Sequence, residues 1–262
     1  MSTHIIDVDL EPKPQPPPPA ALTRALRDLV SAETGLEASP ISAAHDARRV
    51  QIERYVFIGP ESTHHPFRLA FFGGLRGDDR FSARAFAEFA RDLIDAPELA
   101  TGFHLYFYPV TAPSQYGDGP VAVGGGNLFA DLWRDSPLPE PYLVERELAV
   151  VQFHGVIALL GLDHLGGLAV QLHGSWSSLQ EALVQPVLAD AAQCHALAPV
   201  GDWVATRRQS LTSGGVLRPK PFELSVKIPL TTPAREQART LRVTLHSILR
   251  HYRAVIAESQ HL

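Results

Sequence analysis

Hydrophobic residues fall into short runs that end at glycine or proline, alternating with longer stretches in which they recur at helical spacing. Phe67 to Phe72 predicts a buried strand that stops at Gly73-Gly74, and the compact charged turn Leu75-Arg76-Gly77-Asp78-Asp79 follows. A helical pattern then runs from about Ser82 to Ile94, with Ser82 suited to cap it. Gln51 to Ile58 predicts another strand, closed by Gly59-Pro60, and Phe103 to Val110 an aromatic-rich one terminated at Pro109. Gly155 to Leu160 has no polar face and predicts a central strand. Leu168 to His173 and Phe222 to Pro229 complete the strands. Helices are expected from Ala20 (with Leu22, Leu26, Leu29 and Val30 on one face) to a stop at Gly35, from Glu140 to Phe153, from Leu179 to Leu197, and from about Pro233 to Ala257. Strands separated by helices imply an α/β protein, a three-layer α/β/α domain with a central mixed sheet.

The pattern divides the chain into a proline-rich arm over residues 1–20 and a single α/β domain over 21–262. Pro12-Lys13-Pro14-Gln15 and the four prolines after it favour extended polyproline II, a surface strap or a ligand for a proline-binding domain. Residues 111–139 are rich in Gly, Pro, Asp and Ser and include Gly124-Gly125-Gly126-Asn127, a loop long enough to suggest a functional origin. A net charge of -5 with signs intermixed gives no reason to expect nucleic-acid binding. The single cysteine, Cys194, lies in a helical pattern as a buried thiol and excludes both a disulfide framework and a multi-cysteine zinc site. No apolar run approaches the roughly 18–20 residues needed to cross a bilayer, and the start of the chain lacks a basic-then-apolar signal pattern. A soluble, cytoplasmic protein without a membrane partner is expected.

Candidate chemistry centres on the turn after Phe72, because strand ends that pass into helices carry the sites of α/β proteins. His64-His65, His104, His154, His164, His173 and His195 are scattered over several elements, and no H-x-x-x-H or H-E-x-x-H pair occurs. Asp163-His164, just past the Gly155–Leu160 strand, could lie beside Asp78 and Asp79 or be ordinary loop residues. Gly124-Gly125-Gly126 lacks the Lys-Ser/Thr of a phosphate loop, and Gly174-Ser175-Trp176-Ser177 lacks the second glycine of a nucleophile elbow.

Taken in order, strand-GGLRGDD-helix, FHLYFYPVTAPSQY, GGNLFADLW, VIALLGLD and FELSVKIP before a last helix resemble the zinc carboxypeptidase superfamily. The closest likeness is to its compact bacterial branch, related to succinylglutamate desuccinylase and aspartoacylase, and it spans roughly residues 50–257. Gly73, Gly74, Gly77, Asp78, Pro109 and Pro113 stand at family landmarks, as do Trp133, Phe222 and Pro229. The resemblance implies an H-x-x-E pair of zinc ligands in the first turn, a histidine ligand ending a later strand, and a glutamate base before the last helix. Such a site leaves one zinc position for water, which the base deprotonates.

Those positions carry other residues here. The first ligand falls on Arg76, the second on Asp79, the third on Leu160 and the base on Lys227. The family's Asn-Pro is Ala112-Pro113, and its carboxylate-gripping Asp-Leu-Asn-Arg is Asn127-Leu128-Phe129-Ala130. The implied protein is a pseudoenzyme without catalytic residues, zinc or other cofactor, acting as a binding or accessory module. Its vestigial pocket would comprise Arg76, Asp78, Asp79, Asn127, Leu160, Asp163, His164 and Lys227 and take an unknown small molecule or peptide. In that pocket Arg76 or Lys227 is expected to pair with Asp78 or Asp79, replacing the charge of the metal. The alternative is an active metal-dependent amide or peptide hydrolase, of carboxypeptidase or N-acyl amino acid deacylase type, rearranged around Asp78, Asp79 and His164. A third reading is a scaffold subunit engaged through the proline-rich arm.

Overall fold

A computed structural model of the chain describes residues 18–45, 48–62, 65–77, 79–116, 132, 139–163, 165–174, 177–193, 210–212, 217 and 220–260. The proline-rich run as far as Pro17, and Cys194, lie outside them. The strands are β1 (Leu36–Ala38), β2 (Ile41–His45), β3 (Arg48–Ile52), β4 (Tyr55–Ile58), β5 (Phe67–Phe72), β6 (Phe103–Tyr108), β7 (Gly155–Leu162), β8 (Ala169–His173) and β9 (Phe222–Pro229). The helices are α1 (Pro19–Arg27), α2 (Ser82–Asp95), α3 (Pro139–Val151), α4 (Gln185–Gln193) and α5 (Ala234–Gln260). A helical turn at Ser177–Leu179 and a π-helical segment at Gln180–Val184 lead into α4.

Seven strands form one mixed sheet in the order β1-β4-β6-β5-β7-β9-β8. β6, β5, β7 and β9 run parallel, and the antiparallel pairings lie at the two margins. Alternation along the strands sorts side chains between two faces. Leu69 and Phe71, Ile157 and Leu159, and Leu224 and Val226 pack against α1, α2, α4 and α5. Ala70, Phe72, Val156, Ala158 and Leu160 turn the other way, toward Leu143, Val144 and Leu148 of α3. The β2–β3 hairpin joins α3 on that side. Helices thus cover both faces, the three-layer α/β/α arrangement with a central mixed sheet.

Apolar burial supplies most of the cohesion, and each fully buried Phe or Leu contributes about 1.5–3 kcal/mol. Phe71 stacks on Phe107 at 5.5 Å and meets Phe86 and Phe89 edge-on. Two carboxylates fasten α5 over this layer. Asp92 of α2 accepts from Arg242 and His246, and Asp190 of α4 accepts from Ser247, Arg250 and His251. Burial pulls the Asp92 carboxyl upward, but Arg242 and His246 outweigh it and hold the group below its ordinary 3.8.

The run Gln51 to Ile58 is two strands, β3 and β4, rather than one. Glu53 and Arg54 interrupt it because each is anchored outside the ladder. The Arg54 Nε donates to the Ser39 carbonyl at 2.9 Å and its guanidinium also pairs with Glu147. Glu53 pairs with Arg27 and accepts from the Tyr55 hydroxyl at 2.5 Å. The first helix stops at Arg27, well short of Gly35, and β1 and β2 follow. No helix among the described residues is long and apolar enough to cross a membrane.

Candidate functional site

The C-terminal ends of β5, β6, β7 and β9 share one edge of the sheet, where the topology gathers the loops that could carry chemistry. At that edge the chain must leave β5, pass over the end of β6 and enter α2. Gly73 permits the first step, since a Cβ there would lie 2.3 Å from the Cβ of Ser82. Gly74 permits the second, with φ of +57° and a would-be Cβ 2.6 Å from the Val110 Cα. Backbone bonds from Thr111 to the Gly73 carbonyl and from Ala112 to the Gly74 carbonyl, both 3.0 Å, tie the turn to the segment after β6. The Tyr116 hydroxyl lies 2.6 Å from the Arg76 carbonyl and 2.8 Å from that of Asp79. Below them the rings of Phe72 and Tyr108 stack at 4.4 Å. Gly74→Ala is expected to lower stability by about 2 kcal/mol through positive-φ strain and backbone contact, read as a lower urea midpoint.

Asp79 is 5% exposed and aims its carboxylate back into this turn. Oδ1 accepts from the backbone N–H of Phe81 at 3.2 Å and of Ser82 at 3.1 Å. Oδ2 accepts from the Gly74 N–H at 2.8 Å and from the Ser82 hydroxyl. An ionised carboxylate offers about four lone-pair positions, and four donors occupy them. Burial pushes the carboxyl up to about 6, against the opposing pull of these hydrogen bonds. Asp79 therefore closes the β5–α2 turn and satisfies the amides that begin α2. Among the described residues no ion pair joins Asp79 to Arg76 or Lys227, and Asp78, the other acid of the expected pairing, lies outside them. Arg76 itself is half-buried.

Strand register places Leu160 of β7 directly beside Lys227 of β9. Leu160 is 4% exposed and belongs to the apolar cluster with Phe72, Leu75 and Tyr108. Lys227 is fully buried, and its Nζ donates to Gln171 Oε1 at 2.9 Å. Burial depresses the pKa of its ammonium. Asp163 is exposed just past β7. Asp78, Asn127 and His164 lie outside the described residues, as do Gly124-Gly125-Gly126 and Ser175-Trp176. Within the described residues, no three His, Cys, Asp or Glu side chains are grouped to hold a metal.

Three features escaped the sequence reading. On β9, Glu223, Ser225 and Lys227 form a polar row on one face of an otherwise apolar strand, a two-residue alternation visible in FELSVKIP. Ser225 Oγ meets His173 Nε2 at 2.7 Å. Glu223, 1% exposed and near the start of β9, accepts from Ser210 Oγ, Thr212 Oγ1 and the amides of Leu211 and Thr212. Glu140, at the start of α3, accepts from the Ser114 N–H through Oε1 at 3.1 Å, while its buried Oε2 has no hydrogen-bond partner among the described residues. No local signal marked Glu140, since an acid in a helix's first turn is ordinary.

This architecture recurs in solved metallopeptidases. A candidate metallopeptidase from Shewanella denitrificans matches with a TM-score of 0.64 and 13% identity, over 88% of this chain and 89% of that one. A metallo-carboxypeptidase from Burkholderia cenocepacia matches with a TM-score of 0.66 and 13% identity, over 90% of this chain and 68% of that one. A metallo-carboxypeptidase from Pseudomonas aeruginosa, solved with (2-guanidinoethylmercapto)succinic acid, matches with a TM-score of 0.63 and 14% identity, over 88% and 67%. No protein-family model and no curated protein matches the chain. At these identities the likeness defines the fold, which is that of the zinc carboxypeptidases.

Proposed function

We propose that this chain is a catalytically degenerate zinc-carboxypeptidase-like protein of the succinylglutamate desuccinylase and aspartoacylase branch, and that the sheet edge serves as a binding or accessory site. The observation that carries the proposal is the state of Asp79. At the position of the family's second ligand, its lone pairs are engaged by Gly74, Phe81 and Ser82, so a metal could bind only by uncapping the β5–α2 turn.

The neighbouring positions support the same conclusion. Leu160 has no donor atom and is packed among apolar side chains, and Arg76 is a cation that cannot ligate. Lys227 could serve as a base only in its neutral form, which burial favours, but it is engaged with Gln171 inside the sheet layer. The residues present do not fit the zinc that the fold family implies. The alternative hydrolase, built on Asp78, Asp79 and His164, requires the same Asp79 lone pairs.

Metal titration of the purified chain, after chelation and dialysis, separates the two readings. Micromolar zinc is expected to produce no one-to-one heat in calorimetry, and N-acyl amino acids and peptides with a free C-terminus are expected to remain intact. One zinc per chain, with removal abolishing amide cleavage, would establish the hydrolase instead.

A further inference from the structure

On the outer surface of the helical layer, α2 and α5 border an open groove of about 770 Å³. Both helices begin at the sheet edge that carries the candidate site, and the groove runs away from it. Arg84 and Arg91 enter it from α2, seven positions apart, and Arg235, Arg239 and Arg242 enter it from α5 at spacings of four and three. Residues at those intervals share one helix face, so the two arginine stripes face a common space.

The charges in the groove are unevenly balanced. Arg84 pairs with Glu88 at 2.9 Å, and Arg242 is held by Asp92. Arg91, Arg235 and Arg239 are exposed and make no ion pair or hydrogen bond among the described residues. Three unneutralised guanidinium groups thus line one groove of a chain whose net charge is -5. Like charges gathered this way repel one another, and a negatively charged occupant would relieve the repulsion.

We propose that this groove docks an acidic segment of a partner protein, with Arg91, Arg235 and Arg239 receiving its Asp or Glu side chains. The spacing of the arginines suits carboxylates on an extended peptide, and the chain's net charge of -5 disfavours a nucleic acid. Along α5, Arg235 and Arg239 are about 6 Å apart by helical rise, close to the roughly 7 Å between alternate residues of an extended peptide. Guanidinium and carboxylate also match as bidentate partners.

The test uses the full chain and a fluorescent polyglutamate peptide, followed by anisotropy, with oligothymidylate as the comparison probe. Saturable polyglutamate binding is expected, weakened about tenfold in the triple variant Arg91→Gln, Arg235→Gln, Arg239→Gln and steeply weakened by added salt. Because these side chains are exposed, the variant is expected to retain the parent melting temperature. Should it fail to fold, Arg91→Gln and Arg239→Gln alone are each expected to weaken binding about twofold. Absence of saturable binding, or binding that ignores these substitutions, overturns the proposal. Tighter binding of oligothymidylate than of polyglutamate overturns it in favour of a nucleic-acid surface.

Discussion

Asp79→Ala is expected to lower the free energy of unfolding by about 4 kcal/mol, as measured by urea denaturation at neutral pH. The substitution leaves three buried amides, those of Gly74, Phe81 and Ser82, and the Ser82 hydroxyl without their acceptor. Each unsatisfied buried group costs about 1–3 kcal/mol, partly recovered if water enters. Asp79→Asn is expected to cost about half as much, because its carbonyl keeps one pair of donors while its NH2 faces the other pair. Asp79→Glu restores the acid of the zinc enzymes but adds a methylene to a filled socket. It is expected to destabilise by about 1–3 kcal/mol without creating a zinc site.

The same carboxylate gives stability a pH signature. Its pKa rises from 3.8 in the unfolded chain to about 6 in the folded one, so between these values the folded state binds the proton more readily. The proton-linked part of Asp79's contribution to stability is therefore full below about pH 4 and is lost as pH rises through about 6, while its hydrogen bonds to Gly74, Phe81 and Ser82 remain. A proton there can be accommodated because the Ser82 hydroxyl can turn from donor to acceptor. Asp92 and Asp190 act in the opposite sense. Arginine and histidine partners, and Ser247 at Asp190, hold both below 3.8 against the opposing effect of burial, so their stabilisation is present above that value and lost as pH falls further. The parent's advantage in urea midpoint over Asp79→Asn should be smaller at pH 7 than at pH 5, a comparison that cancels the opposing effect of His104, His154 and His173, whose pKa values burial lowers.

Glu223→Ala is expected to cost about 3 kcal/mol and to loosen a second region selectively. Its carboxylate gathers Ser210, Leu211 and Thr212 onto the start of β9. Without it the amides of Leu211 and Thr212 lose their buried acceptor, and their hydrogen exchange should accelerate by more than that of the β9 ladder. Equal acceleration across the whole sheet would instead indicate that Glu223 acts on global stability alone.

The sheet was legible because its strands carry strong, bounded patterns. Phe67–Phe72 and Phe222–Pro229 have the limits that their apolar runs set, and α2 runs one residue beyond its predicted end. Weak patterns were read less well. β1 and β2 are short and partly polar, and the interruption at Glu53-Arg54 depends on partners as distant as Glu147. At the site, Leu160 and Lys227 could be named from the resemblance, but their register could not. In sequence, Asp79 presents as a charge awaiting a cation, because local sequence does not reveal that neighbouring amides already surround it. Glu223 and Glu140 were passed over for the same reason: each is defined by what folds onto it.

The bond between Asp92 and Arg242 spans 150 positions of sequence. It belongs to the packing that lays α5 over Phe71, Leu159 and Leu224, so this side of the sheet, which α1, α2 and α4 also cover, is incompletely covered until the ribosome has passed Gln260. Ordering such distant contacts is slow, and uncovered strands are prone to associate with one another in the meantime. The length of α5 thus turns the order of synthesis into a period of exposure, during which a chaperone would have most to protect.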